Sequence, residues 1–166
     1  MLIAIAAVDK DLAIGYNGEL LFHIPDDMKF FKRVTTGNIV IMGRKTFESL
    51  HSKPLPNRVN IVVSSDESLK KRKDIMALSI DEAHKFVEAN KNSHTIYIIG
   101  GAKIYNEFID ECNLIFLTHY YKAFEKADAY FPDPKEHNFK RECTLKTGIW
   151  NDYTWKIISW TKDSNH

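Results

Sequence analysis

The chain is predicted to be α/β, one domain over residues 1–166 with a mixed, mostly parallel sheet and a C-terminal antiparallel hairpin. Three observations predict it. Up to about residue 120, short apolar runs alternate with segments of helical period, the pattern of parallel strands joined by helical crossovers. Beyond that point two aromatic-rich strands follow one another with no helix between them, which is how an antiparallel pair reads. The length of 166 residues suits one core, and no repeat, low-complexity tract or linker divides it.

The run Met1 to Val8 is apolar but too short for a signal h-region and lacks a basic flank, so it reads as a buried first strand near 2–8. Asp9 to Ile24, with Gly15 and Gly18, is the least regular stretch and is long enough to be a functional loop. Pro25 suits the first position of a helix over 25–35. A strand near 38–42 turns at Gly43 into a helix over 44–50, and strands near 59–63 and 75–78 follow. Ser79-Ile80-Asp81-Glu82 has the spacing of a capping box and opens a helix over 80–90. A strand near 95–99 passes through Gly100-Gly101 into a helix over 102–109, and a strand near 113–119 precedes the hairpin near 139–145 and 153–161.

Composition excludes several classes. At 44% hydrophobic and 27% charged, the chain is too apolar for disorder, and its apolar runs fall short of the ~20 residues a membrane span needs. A net charge of +1, with basic residues spread along the chain, gives no footprint for nucleic acid. Cys112 and Cys143 have neither metal-ligand nor redox spacing, which fits a reducing, cytoplasmic setting. The seven histidines show no paired ligand spacing and none is assigned to a metal. With no nucleophile elbow and no cysteine beside a base, reactivity must come from a cofactor.

Asp27, Phe30, Phe31 and Val34 fall at i, i+3, i+4 and i+7 of the Pro25 helix, which sets Asp27 on the apolar face while Asp26 groups with Lys29 and Arg33. A carboxylate buried there has its pKa raised and wants a hydrogen-bonding ligand edge; a plain first-turn acid favoured by the helix dipole is the alternative, and spacing leaves both open. Two strand-glycine-helix turns, Gly43-Arg44-Lys45-Thr46 and Gly100-Gly101-Ala102-Lys103, could cradle the two ends of a pyrophosphate on helix N-termini. Glycine after a strand more often marks only a tight turn. Ser64-Ser65 with Arg44 would suit a further phosphate and so NADPH over NADH, with Asp66 as a counter-signal. Arg58 stands before a strand where it could grip a carboxylate, or be simply a surface arginine.

Taken in order, Ile14-Gly15, Pro25-x-Asp27-x-x-x-Phe31, Ile41 to Ser49, Pro54-Leu55-Pro56-x-Arg58-x-Asn60, Ile99-Gly100-Gly101 and Asp128 to Pro132 resemble the dihydrofolate reductase family over essentially the whole chain. The resemblance implies a central eight-stranded mixed sheet flanked by about four helices. It also implies hydride transfer from NADPH to carbon 6 of dihydrofolate while nitrogen 5 gains a proton, supporting one-carbon metabolism. It makes Asp27 the carboxylate that grips the pterin and promotes protonation, supported by Thr118. Backbone groups of Ile5 and Ile99 would hold the pterin edge, Met28, Phe31, Leu50 and Leu55 would line the benzoyl slot, and Arg58, assisted by Lys53, would bind the glutamate. The cofactor falls to Ala7, to the loop Ala13, Ile14, Gly15, Tyr16, Asn17, Gly18 and Glu19, and to Gly43, Arg44, Lys45, Thr46, Ser64 and Ser65. Ile99, Gly100, Gly101, Ala102, Lys103, Ile104, Tyr105 and Glu107 complete its site, and Gly100-Gly101 resembles the family's cis peptide.

Three departures stand out. Leu20-Leu21-Phe22 replaces the family's usual Leu-Pro-Trp, so Phe22, at a catalytic position, brings no indole donor to hold water over the pterin. Ala127 stands before Asp128 where glycine is frequent, and the Leu50 to Pro54 link is one residue longer than in many relatives. The expected partners are dihydrofolate and antifolate-type small molecules, bound by a monomer. The competing readings are a pyrimidinone reductase of riboflavin synthesis, which would need neither Asp27 nor Arg58, and a non-catalytic NADPH- or folate-binding module.

Overall fold

A computed structural model describes residues 1–163. Its main sheet has eight strands: β1 (Leu2–Val8), β4 (Ile39–Gly43), β5 (Val59–Val63), β6 (Met76–Leu78), β7 (Ile96–Ile98), β8 (Leu114–Tyr120), β10 (Phe139–Trp150) and β11 (Tyr153–Lys162). They lie in the order β10-β11-β8-β1-β7-β4-β5-β6. The ladders among β8, β1, β7, β4, β5 and β6 are parallel, and those that β11 makes with β10 and β8 are antiparallel. Helices α1 (Pro25–Thr35), α2 (Arg44–Ser49), α4 (Ile80–Asn90) and α5 (Ala102–Phe108) flank the sheet, with a single turn, α3 (Glu67–Lys70), added to the expected four.

The strands around the centre alternate their apolar residues between two faces. Ile3, Ile5, Val40, Met42, Val62 and Tyr97 pack with Phe30 of α1 and Phe47 of α2. Leu2, Ala4, Ile41, Ile61, Ile96 and Ile98 pack with Val87 of α4 and Phe108 of α5 on the other. Both faces are thereby covered, as runs such as Ile39-Val40-Ile41-Met42 require. Ser79 caps α4 reciprocally with Glu82, as the spacing predicts.

Asp9 to Ile24 is not wholly irregular. β2 (Ala13–Tyr16) and β3 (Glu19–Leu20) form a hairpin, and β9 (Ala129–Tyr130) adds to β2 as a second small sheet. Asn17 and Gly18 both have positive φ, the Asn-Gly turn that suits a two-residue hairpin. Strand β10 also runs to Trp150, past the expected 145, because Asn151 and Asp152 take positive φ and close a tight turn into β11.

In that hairpin Gly148 is paired with Trp155, whose indole is 2% exposed. A Cβ at Gly148 would sit 2.5 Å from the ring, so the glycine is what lets the indole lie flat across β10. Gly148→Ala is expected to overpack this contact by about 1–3 kcal/mol. Thermal unfolding should show it as a drop of roughly 3–10 °C in Tm; an unchanged Tm would mean the indole turns away freely.

Candidate active site

The site lies where the parallel strands end. The β1–β8 ladder continues to Val8 and His119, whereas the β1–β7 ladder stops at Ala4 and Ile98. Beyond those residues the two central strands part, and the opening is edged by Ile5, Ala7 and Ile99. Such a crevice at the carboxyl ends of an open α/β sheet is where ligands bind. Tyr105 of α5 donates its hydroxyl to the Ile5 carbonyl at 2.6 Å, which bridges the gap from beneath. Burial, with the Asp27 charge nearby, holds its phenol well above the usual range, so Tyr105 remains a donor.

Asp27 reaches this opening from the first turn of α1, which Pro25 begins without a side-chain cap. Thr118 of β8 donates its hydroxyl to Asp27 Oδ1. Burial pushes the Asp27 carboxyl up to about 6 against the lowering effect of that hydrogen bond. The apolar stripe therefore carries a carboxyl poised near neutrality, and Phe30 in the same stripe meets Phe116 edge-on at 5.6 Å. Phe22, 8% exposed, packs on Tyr120 and Phe124 at 4.9 and 5.7 Å and brings no donor of its own; the Tyr120 hydroxyl donates to the Trp150 carbonyl at 2.7 Å.

Along α1, Met28 is 53% exposed and Phe31 half-buried, with half-buried Leu50 and Leu55 packed on the same core face. Arg58 donates from Nε to the Pro56 carbonyl at 2.9 Å and from Nη1 to Thr35 Oγ1 at 3.0 Å. Partial burial lowers its pKa from an ordinary arginine's, yet it stays a cation. Lys53 is exposed in a turn where His51 and Ser52 take positive φ, so it is not fixed as Arg58 is.

The two glycine turns meet. Gly43 N–H donates to the Gly100 carbonyl at 2.8 Å, and the Gly100–Gly101 peptide is cis. A Cβ on Gly43 would press on Ile104 at 3.1 Å, and one on Gly101 would face Thr46 Oγ1 at 3.6 Å. Neither Gly43 nor Gly101 caps its helix with a side chain, so first-turn N–H groups of α2 and α5 remain available to phosphate. Arg44 pairs with Glu48 at 2.9 Å, and hydrogen bonds from Ser68, with a smaller contribution from the charge of Arg44, hold the Asp66 carboxyl below its usual range. Asp66 turns its carboxylate to Ser68, while its own N–H donates to Ser64 Oγ at 3.1 Å. Arg44 and Ser64 therefore flank one corner beyond β5, with Ser65 exposed beside them. These residues fit a dinucleotide with an extra phosphate.

Residues of the early loop divide. Ala13, Ile14 and Gly15 are buried, and a Cβ on Gly15 would meet the Glu19 carbonyl at 2.9 Å. Tyr16, Asn17, Gly18 and Glu19 are exposed at the tip. Asn17 and Gly18 share a cleft with Lys45, Ser49 and Asp128. Asp128 closes the loop from the far side, accepting from Asn17 N–H at 3.0 Å and donating its own N–H to the Gly15 carbonyl at 3.0 Å. Ala102 is half-buried and Lys103 exposed. Glu107, exposed one turn past Lys103, pairs with His84 of α4 at 2.9 Å, with Glu111 on the other ring nitrogen at 2.8 Å.

Three residues take roles that the sequence reading does not assign. Asn60, 4% exposed, binds Leu55 N–H and the carbonyls of Leu55 and Arg58, and so shapes the loop that presents Arg58. An asparagine inside Val59-Asn60-Ile61-Val62-Val63 is the signal for it, since a buried amide must find partners. Thr35 holds the guanidinium, and only the fold brings it there. Asp9 accepts from Asp11, Ala13 and Phe124 N–H and pins the base of the loop. Among the described residues no cluster of His, Cys, Asp and Glu is placed to hold a metal.

The family model "Dihydrofolate reductase" matches residues 1–162. The dihydrofolate reductase of Buchnera aphidicola subsp. Acyrthosiphon pisum is 41% identical over 160 residues, covering 93% of this chain and 96% of that protein. That of Bacillus subtilis is 34% identical over 140 residues, covering 84% and 80%. The solved dihydrofolate reductase from Enterococcus faecalis, complexed with NADP(H) and RAB-propyl, superposes with a TM-score of 0.85 at 30% identity over 99% of this chain and 97% of that one. With the split between β1 and β7, the Asp27–Thr118 pair and the joined glycine turns on one sheet edge, this chain belongs to the dihydrofolate reductase family.

Proposed function

We propose that the chain is an NADPH-dependent reductase converting 7,8-dihydrofolate to 5,6,7,8-tetrahydrofolate, with Asp27 promoting protonation of the pterin. The observation that carries this reading is the half-buried Asp27 carboxyl, joined to Thr118 at the opening beside β1 and pushed up to about 6 by burial. NADPH, when bound along Gly43 to Thr46, Ser64–Ser65 and the Gly100-Gly101 turn, supplies the hydride. Ala7, Tyr105 and the Ala13 to Glu19 loop flank its reactive end.

Asp27 binds the amino group and ring nitrogen of the pterin, and its field favours a proton at nitrogen 5, where the charge of the reaction develops. Thr118 keeps the carboxyl oriented. Ile5 and Ile99 meet the pterin edge through their backbone, and Met28, Phe31, Leu50 and Leu55 enclose the benzoyl group. Arg58, held by Thr35 and the Asn60-shaped loop, grips the glutamate carboxylate. Phe22 closes its side of the site with an apolar ring that donates no hydrogen bond. The same pocket shape accepts antifolate-type molecules that present a cationic edge to Asp27.

The working form is taken to be a monomer. The free thiols of Cys112, buried, and Cys143, exposed, support a reducing compartment such as the cytoplasm. No described helix is long and apolar enough to cross a membrane. Loss of NADPH absorbance on adding dihydrofolate tests the activity, with NADH and a pyrimidinone as parallel controls. Oxidation that requires dihydrofolate and prefers NADPH is expected; NADPH binding without turnover would contradict it.

A further inference from the structure

The sheet face opposite Asp27 carries a second polar cleft that the reaction does not use. β8 turns Thr118 toward α1 and the next residue, His119, to the other face. His119 is 7% exposed, and its Nε2 accepts a hydrogen bond from Trp160 Nε1–H at 3.2 Å. An indole nitrogen only donates, so Nε2 carries no proton. Burial and the neighbouring Arg141 push the His119 pKa down to about 4, which leaves the ring neutral with its proton on Nδ1. No described residue accepts from that Nδ1–H, and no fully enclosed side-chain nitrogen among the described residues lacks a partner, so Nδ1 opens onto the cleft.

Lys10, Lys135 and Arg141 stand on the walls of the same cleft. Arg141 is set over the Trp160 ring, its guanidinium carbon 5.2 Å from the centroid, beside the imidazole. The acids on these walls are engaged elsewhere. Asp9 accepts backbone N–H groups on both oxygens, and Asp133 Oδ1 accepts from Lys135 N–H. Three cationic residues and the His119 ring line a concavity that also holds the carboxylates of Asp9 and Asp133, so positive charge exceeds negative by one there.

We propose that this cleft is a second ligand site, for a small oxyanion bearing a phosphate or carboxylate group, held by His119 Nδ1–H with Arg141, Lys135 and Lys10. A carboxylate or phosphate oxygen accepts from the imidazole while its charge meets the guanidinium and ammonium groups. Lys10, whose backbone N–H donates to the Lys122 carbonyl at 3.1 Å, stands just before the loop that β2 and β3 form, so the cleft adjoins the base of that loop.

The test is NMR of the His119 ring nitrogens and the Trp160 indole N–H. The protein is kept saturated with NADPH so that the nucleotide phosphate positions are filled. Inorganic phosphate and malonate are titrated separately, with sodium chloride at matched ionic strength as control. Saturable shifts at His119 and Trp160 are expected with at least one of the two anions, and which one saturates distinguishes phosphate from carboxylate. Lys135→Gln combined with Arg141→Gln should weaken the midpoint by about tenfold or more while dihydrofolate turnover is unchanged. Shifts that follow chloride equally, a midpoint that survives the double substitution, or a His119 ring with its proton on Nε2 would overturn the assignment.

Discussion

Asp27→Asn is expected to lower dihydrofolate turnover by about 10²–10⁴-fold at neutral pH, the range a positioned acid-base group contributes. The amide keeps the shape of the side chain and a contact with Thr118, so fold and pocket should survive. What goes is the negative charge that favours a proton on nitrogen 5 of the pterin and the carboxyl that burial holds near about 6. NADPH affinity should be unchanged, because the glycine turns and Arg44 that hold the nucleotide touch neither Asp27 nor α1. Steady-state kinetics together with NADPH titration separates the two; equal losses in both would mean that the substitution disturbs the site as a whole.

The second large effect is expected at Arg58. Arg58→Leu should raise KM for dihydrofolate by roughly 10–100-fold, the worth of a charge-assisted hydrogen bond of about 1.5–3 kcal/mol, with kcat little changed. The glutamate tail lies away from the reacting atoms, so its grip is felt equally in ground and transition states and appears in KM. Thr35 keeps its bond to the Phe31 carbonyl at 2.7 Å, so the helix end should hold. A pterin substrate lacking the glutamate should be insensitive to the substitution. If both substrates lose equally, Arg58 acts through the loop rather than through the carboxylate.

Much of this architecture is legible before any fold is seen. The two-sided apolar runs announce a covered parallel sheet, and the order of the motifs carries the family and its chemistry. Asp27 is readable because three apolar residues share its stripe. Its bond to Thr118 is not, since 91 residues separate the pair. The β2–β3 hairpin is written in Asn17-Gly18, but β2 is buried on consecutive residues and β3 is a two-residue strand, so neither shows an alternating period and the segment reads as irregular. The contact of Glu107 with His84 is likewise invisible in sequence, since 23 residues and two helices separate the pair. His119 looks like an ordinary strand residue until Trp160 arrives from the last strand.

The central claim is that a buried carboxyl at Asp27 governs the proton the pterin receives. Its most direct test is the single-turnover rate of hydride transfer, followed by NADPH absorbance across pH, in the native chain and in Asp27→Asn. The proton on nitrogen 5 is drawn from solvent and favoured by the field of the Asp27 carboxylate, so its supply falls as pH rises beyond the joint titration of carboxyl and pterin, and the native rate should fall about tenfold per pH unit on the alkaline side. In Asp27→Asn the rate should be low and should lack that inflection. A native rate that is flat with pH, or an inflection that persists in Asp27→Asn, would contradict the account.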